Sequence, residues 1–292
     1  MFAHAISIVT PFMFPVIISK RFADGTVEAG CATFIVVNQD GWILTAGHVF
    51  QDLLLANQHR VEQAQNNAQI QQINSNPKLN AKQKHKQIAR LSKNPKWITN
   101  HSYWWGVNGV QATNIKVAQL PDIAIAKLDP FDPNKFTTSY PIFKNPSSLL
   151  QVGTSLCRYG SPLYDISSTF DLTSGSFQIA PGVLPLPRFP LDGIHTRVAN
   201  IQDQGTKAIA KFIETSSPGL RGQSGGPIFD RDGYIWAIQS RTVHFSLGFN
   251  PKVKQGSKEI EEHQFLNVGL GAHVEEIITL LNQNNVSHTL SP

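Results

Sequence analysis

Apolar runs of five or six residues, separated by turn formers, recur along the chain: "TFIVV" at 33–37, "WILTA" at 42–46, "IAIAKL" at 123–128 and "YIWAI" at 234–238. Twenty-one glycines and eighteen prolines lie scattered between them. Runs of this length bounded by Gly, Pro, Asn and Asp read as short strands, so the pattern predicts a mostly β protein. In "CATFIVVNQDGWILTAGHV", residues 31–49, the Asp40-Gly41 pair between two apolar runs predicts a hairpin. "GVQATNIKVAQL" and "DIAIAKL" continue the strand pattern, "DPFDPNKF" at 129–136 reads as a linker, and a second β-rich segment begins near Gln151. The apolar N-terminus, "MFAHAISIVTPFMFPVIISKRF", is expected to open the fold as a buried pair of strands.

Two stretches depart from this pattern. Residues 51–96 are rich in Gln, Asn and Lys and hold no Phe, Trp or Tyr. Leu54, Val61, Ile70, Ile73, Ile88 and Leu91 fall at spacings that a helix gathers onto one face. Pro77 divides the stretch and Asn94-Pro95 closes it, so an α-helical hairpin inserted into a β domain is expected. Near the end, Val274, Ile277, Ile278, Leu280 and Leu281 predict a C-terminal helix. Domain boundaries are expected at 1–135, with the insertion at about 51–96, and at 136–292.

At 292 residues and 41% hydrophobic content the chain can bury a sizeable core. Its net charge of +5 is concentrated between Lys78 and Lys96, which describes a local basic element. Nucleic acid could in principle meet Lys78, Lys82, Lys84, Lys86, Arg90, Lys93 and Lys96, but the stretch offers no aromatic platform for stacking. A partner protein at this basic insertion is the expectation instead. Cys31 and Cys157 are too few for a disulfide framework and lack metal-ligand spacing. No metal and no organic cofactor are expected. The N-terminal apolar run has no basic n-region or cleavage motif and is broken by Pro11 and Pro15; no membrane span and a cytoplasmic location follow as expectations.

The candidate chemistry lies in "GLRGQSGGPIFD", residues 219–230. A serine hydroxyl needs a base within hydrogen-bond reach and a third group to orient that base. His48 follows "WILTAG", where a buried strand meets an accessible loop, and Asp122 stands immediately before the apolar run of "PDIAIAKL". The glycines around Ser224 allow successive backbone N–H groups to face one point, so Gly222 and Ser224 are expected to stabilise an oxyanion. "GQSGG" also satisfies the G-x-S-x-G pattern of α/β-hydrolases. That fold requires a helix directly after the serine and the order Ser, Asp, His, whereas here Pro227 and a hairpin pattern follow.

In order and context, "GWILTAGHV", "PDIAIAKL" and "GQSGGPIFDRDGYIWAIQS" resemble the His, Asp and Ser segments of trypsin-like serine peptidases of the chymotrypsin fold, particularly the bacterial branch. The resemblance implies two six-stranded antiparallel β-barrels with the site in the cleft between them. It implies His48 as general base, Asp122 as the residue that holds the imidazole tautomer, and Ser224 as nucleophile of a serine endopeptidase acting on protein or peptide substrates through an acyl-enzyme. The alternative is an inactive trypsin-like scaffold, or a binding module acting through the basic insertion. Gln223 stands where zymogen-activated members carry an aspartate, and Pro218 where trypsins carry a specificity aspartate. Ser240, Arg241 and Thr242 are implied to edge the primary substrate pocket. With Thr242 narrowing its entrance, small or medium uncharged side chains are expected at the cleaved residue.

Overall fold

The structure is a computed structural model that describes residues 1–91, 94–162, 165–255, 258–261 and 264–292. Lys93, one of the insertion's cations, lies outside the described residues. After helix α1 (Ala3–Val9), the first half contains β1 (Met13–Phe22), β2 (Val27–Val36), β3 (Trp42–Ala46), α2 (Gln51–Ser75), α3 (Ala81–Ala89), β4 (Ile98–Trp104), β5 (Gln111–Ala118) and β6 (Ile123–Asp129). The six strands form one antiparallel sheet in the order β4-β1-β2-β3-β6-β5. It is curled into a half-barrel, with no ladder pairing between β4 and β5. The hairpin expected around Asp40-Gly41 is present as β2 and β3, with Gly41 at a φ of 82°. Val16, Phe34, Ile43, Phe50, Trp105 and Ala124 fill the concave side of the sheet.

The second half contains β7 (Ile142–Phe143), β8 (Ser155–Gly160), β9 (Ser168–Asp171), β10 (Ser176–Ile179), β11 (Phe189–Gln202), β12 (Ile209–Thr215), β13 (Pro227–Phe229), β14 (Ile235–Ser246), β15 (Lys252–Gln255), β16 (Lys258–Glu261), β17 (Phe265–His273), α4 (Val274–Gln283) and β18 (Thr289–Leu290). Here the ladder closes on itself. The order β13-β8-β11-β12-β17-β14 returns to β13 through a β13–β14 pairing, and β7 and β18 add a parallel margin to β14. The hairpin pattern after Pro227 is β13 and β14, and the expected C-terminal helix is α4, with all five of its periodic apolar residues buried.

The N-terminus differs from the expected strand pair. Residues 3–12 are helical, and only Met13–Phe22 is a strand. Phe2, Ala5, Val9 and Phe12 recur at three- and four-residue steps, the spacing of one helix face. They join a core cluster with Phe143, Phe229, Ile235 and Ile277 of the second half and Leu44 and Ile123 of the first. Phe2 meets Phe229 edge to face at 6.3 Å.

The insertion is a pair of helices broken around Pro77, as expected, and α3 opens with a reciprocal capping box between Asn80 and Gln83. The apolar face expected for it is only partly formed, with Ile70, Ile73, Ile88 and Leu91 half-buried. Leu54 and Val61 are 50% and 57% exposed, and within α2 only Ala56 and His59 are buried. Gln and Asn occupy much of the helix, so its apolar contacts with the sheet include Ala56, clustered with Phe22 and Ile98, and Leu53, packed against the core of the first sheet. Polar anchors supplement those contacts: Lys20 pairs with Asp52 at 3.2 Å, Ile98 N donates to His59 Nδ1 at 2.9 Å, and Trp97 Nε1 donates to Glu62 at 2.8 Å. Among the described residues no helix is long and apolar enough to cross a membrane.

Candidate active site

Strand β3 ends at Ala46 and runs into a 3-10 turn, Gly47–Phe50, that lifts His48 out of the core. Gly47 lies so close to Asp122 that a Cβ there would sit 3.2 Å from the carboxylate. The turn is pinned twice, by Gly47 N donating to Asp122 O and by His48 N donating to Asp122 Oδ1, both at 2.9 Å. Asp122 occupies the left-handed region at a φ of 65°, its N–H donating to Ala118 O, and this turn aims its side chain back at the histidine.

His48 Nδ1 lies 2.9 Å from Asp122 Oδ2 and 3.2 Å from Oδ1, and the Ser240 hydroxyl donates to Oδ2 at 2.6 Å. Burial alone would raise the Asp122 carboxyl. The hydrogen bonds and charge of His48, the Ser240 hydroxyl and the His48 N–H outweigh it and hold the group below the ordinary carboxylate value. An ionised carboxylate only accepts, so the nitrogen facing it, Nδ1, carries a proton, and in the neutral ring the lone pair is on Nε2.

Ser224 sits in a turn braced from three sides. Gly226 N donates to Gln223 O, Gly225 N to Gln239 O, and Thr33 N to Ser224 O, each at 2.8 Å. Gly222 and Gly225 have φ of 99° and 82°, conformations that side-chain-bearing residues rarely adopt. A Cβ at Gly225 would collide with Thr33 O and Thr45 Oγ1 of the β2–β3 hairpin. Gln223 is fully buried; it accepts from Leu220 N at 3.0 Å and donates to Phe189 O at 3.2 Å, bracing the loop with a neutral side chain. Among the described residues, Gly222 N and Ser224 N have no acceptor and Ser224 Oγ has no partner.

His48, Gly222 and Ser224 line a single cavity of about 360 Å³, together with Ala29, Cys31 and Arg221. Lys20, Glu28 and Asp52 are also at its wall, where Lys20 pairs with Glu28 at 3.5 Å and with Asp52 at 3.2 Å. Cys31 is a free thiol beside the oxyanion loop, its Sγ 3.3 Å from Ser161 O. Burial pushes this thiol above its ordinary value, although Arg221 nearby opposes the shift.

Of the residues that the resemblance implies for substrate binding, Pro218, Ser240, Arg241 and Thr242, Ser240 turns its hydroxyl to Asp122. Arg241 places its guanidinium over the Phe212 ring at 5.2 Å. Thr242 Oγ1 donates to Gly219 O at 2.7 Å, tying the strand after the Asp122 partner to the loop that leads to Ser224. Pro218 contributes its carbonyl, which accepts from Arg158 Nη1 at 3.0 Å.

That bond leads to two residues the sequence reading missed. Arg158, on β8 and 1% exposed, donates from Nε to Gln239 Oε1 at 2.6 Å and from Nη1 to Ser217 O at 2.8 Å. Its one visible signal is a charge inside an otherwise apolar strand, "SLCRYG"; Gln239 in "AIQS" carried none.

A family model described as trypsin-like peptidase domain matches residues 32–238 of the chain, a span that contains His48, Asp122 and Ser224. No curated protein matches the sequence. Among solved structures, the active form of the Rv3671c protease from Mycobacterium tuberculosis is similar, with a TM-score of 0.50 over 98% of this chain and 86% of that one, at 12% identity. At that identity the likeness speaks for the fold.

Proposed function

The chain belongs to the trypsin-like peptidase family and is a serine peptidase, and on that footing we propose that it is an endopeptidase working through a His48-Asp122-Ser224 triad. The observation that carries this reading is the 2.9 Å His48–Asp122 pair, with the His48 side chain lining the same cavity as Ser224.

In the proposed cycle the Ser224 hydroxyl attacks the scissile carbonyl while His48 Nε2 takes its proton. The oxyanion is received by the N–H groups of Gly222 and Ser224; loss of one such donor typically costs about 10²- to 10³-fold in rate. His48 then returns the proton to the leaving amine, and the resulting acyl-enzyme is hydrolysed by water that His48 deprotonates. Asp122 stays ionised throughout and balances the imidazolium. The neutral bonds of Gln223 support a loop that is already ordered without a newly cleaved N-terminus to pair with.

The test is covalent labelling with a fluorophosphonate, read by mass spectrometry of the adduct. Wild type is expected to be labelled on Ser224, and Ser224→Ala and His48→Ala each to abolish it. An unlabelled wild type would overturn the reading.

A further inference from the structure

We propose that the helical insertion carries a second substrate-contact surface, on which Lys82, Lys86 and Arg90 of α3 hold an extended acidic segment of the protein being cleaved. That the segment belongs to the substrate rests on the endopeptidase reading; the surface itself does not depend on the chemistry at Ser224.

Charge is unevenly divided along the chain. Residues 51–96 hold eight Lys and Arg against Asp52 and Glu62, a net +6, whereas the whole chain carries +5, which leaves −1 for the remainder. Both acids are occupied: Asp52 pairs with Lys20, and Glu62 accepts from Gln58 and Trp97. Among the described residues no carboxylate lies within 4.0 Å of Lys78, Lys82, Lys86 or Arg90.

The helix sorts its cations by face. Lys84 and Ile88 are half-buried, and Lys84 Nζ donates to Asn74 O of α2 at 2.6 Å, so this side of α3 turns to its partner helix. Lys82, Lys86 and Arg90 are exposed and recur every four residues, which sets them in one row on the outer side. The capping box of Asn80 and Gln83 fixes where the row begins. Among the described residues the exposed surface of α2 adds one cation, Arg60. The positive surface is therefore a narrow line, about 12 Å from Lys82 to Arg90.

Size and spacing select the occupant. A line this narrow touches one strand of a polyanion, and neither helix has an aromatic ring on which bases could stack. Neighbouring cations of the row are separated by a rise of about 6 Å, close to the two-residue repeat of an extended chain, about 6.7 Å. A peptide strand with Asp or Glu at alternate positions turns its carboxylates to one side and meets the row in register.

Position ties the surface to the cleft. Asp52, near the start of α2, lines the cavity that holds His48 and Ser224. Asn74, where Lys84 docks, lies about 33 Å further along the helix. The chain leaving α3 returns to Trp97, whose indole bonds Glu62 about 15 Å from Asp52 along the same axis. That interval corresponds to roughly five to ten residues of extended chain between the cavity and the row.

The experiment has two arms, both at low ionic strength, where exposed charges are least screened. In the first, fluorescence anisotropy follows a labelled peptide of alternating Glu and Ser on Ser224→Ala, beside an alternating Lys and Ser peptide and a DNA duplex. The acidic peptide is expected to bind and the basic one not to. Adding Lys82→Gln, Lys86→Gln and Arg90→Gln together is expected to weaken binding about tenfold, as the loss of three exposed charge pairs implies. Gln is nearly as good a helix former as Lys or Arg, so α3 is retained.

In the second arm the full chain is given internally quenched peptide pools that share a randomised segment. They differ in a tract about five to ten residues before or after it, either Glu-Ser or Gly-Ser. In one of the two placements the acidic pool is expected to be cleaved about tenfold faster at concentrations below KM. The triple variant is expected to lose that advantage while cleaving the Gly-Ser pools at the wild-type rate. Failure of the acidic peptide to bind, binding of the duplex alone, equal cleavage of the pools, or an advantage unmoved by the triple variant overturns the inference while the endopeptidase reading stands. Absence of cleavage in every pool, with no fluorophosphonate labelling of wild type, overturns that reading and the substrate role with it.

Discussion

Ser240 of the second barrel donates its hydroxyl proton to Asp122 of the first across 2.6 Å. The aspartate thus accepts from both halves: the His48 ring and N–H on one side, and strand β14 on the other. The bond ties the orientation of the His48 ring to the way the barrels dock, and it helps keep a mostly buried carboxyl ionised. Removing a hydrogen bond from a charged group costs about 1.5–3 kcal/mol. In Ser240→Ala, with the His48 contacts retained, we expect kcat/KM to fall about 10- to 100-fold and the thermal midpoint to drop by several degrees. Steady-state kinetics beside calorimetry checks this; an unchanged kcat/KM would show that the bond does not position the base.

Asp122→Asn separates charge and tautomer from fold. The left-handed φ of 65° is one that asparagine tolerates, so the turn before β6 survives the substitution. An amide NH2 facing Nδ1 favours the other imidazole tautomer, with the proton on Nε2, and removes the base. In the Ser-His-Asp template this change lowers kcat about 10⁴-fold. The same order of loss, with a native circular dichroism spectrum, is the expected outcome; a loss below tenfold would contradict the proposed role.

The strands were legible because their apolar runs are short and bounded by turn formers, and "TFIVV", "WILTA" and "IAIAKL" each became a strand of the first sheet. The motifs around His48 and Asp122 were equally plain, and the structure brings these residues into contact although 74 positions separate them. Two kinds of feature were not legible. Phe2, Ala5, Val9 and Phe12 lie in a nearly continuous apolar run, where helical and strand periods look alike until a partner surface chooses between them. The Arg158 and Gln239 pair left only the charge in "SLCRYG" as a signal, since the two residues meet only when the closed sheet brings β8 and β14 together. Ser240 was read as a pocket edge; which way its hydroxyl turns depends on Asp122, a residue from the other half.

Gly225→Ala tests the packing of the serine turn against the β2–β3 hairpin. An alanine at a φ of 82° is strained, and its Cβ would collide with Thr33 O and Thr45 Oγ1. Gly182→Ala supplies the comparison, because its φ of 83° is equally unfavourable while nothing lies within 4 Å of its Cβ. Strain alone costs about 1–3 kcal/mol, and overpacking adds a similar amount. Calorimetry is expected to show Gly225→Ala melting at least several degrees below Gly182→Ala and losing fluorophosphonate labelling. Equal midpoints would mean that the hairpin yields and the collision is not real.

His273 caps α4, its Nδ1 accepting from Glu275 N at 3.1 Å, so the cap exists only while that nitrogen is unprotonated. Burial lowers this histidine; Glu275 on its own helix opposes the shift, while Lys211 on β12 and His195 on β11 reinforce it. His195 is itself lowered by burial. Both therefore take up protons more readily unfolded than folded. Their effect on stability is absent well above the ordinary histidine value of about 6.5 and becomes destabilising as pH falls through that value toward the depressed folded ones. The slope approaches about 1.4 kcal/mol per pH unit for each histidine that is protonated only when unfolded. Asp24, Asp122, Asp171 and Asp203 are all held below the ordinary carboxylate value, so their loss of charge begins at lower pH than this window. His273→Asn keeps a cap acceptor that does not titrate. Between pH 7 and pH 5.5, wild type is expected to lose thermal stability and His273→Asn to lose measurably less. Parallel losses in the two proteins would show that protonation of this cap does not control the acid response.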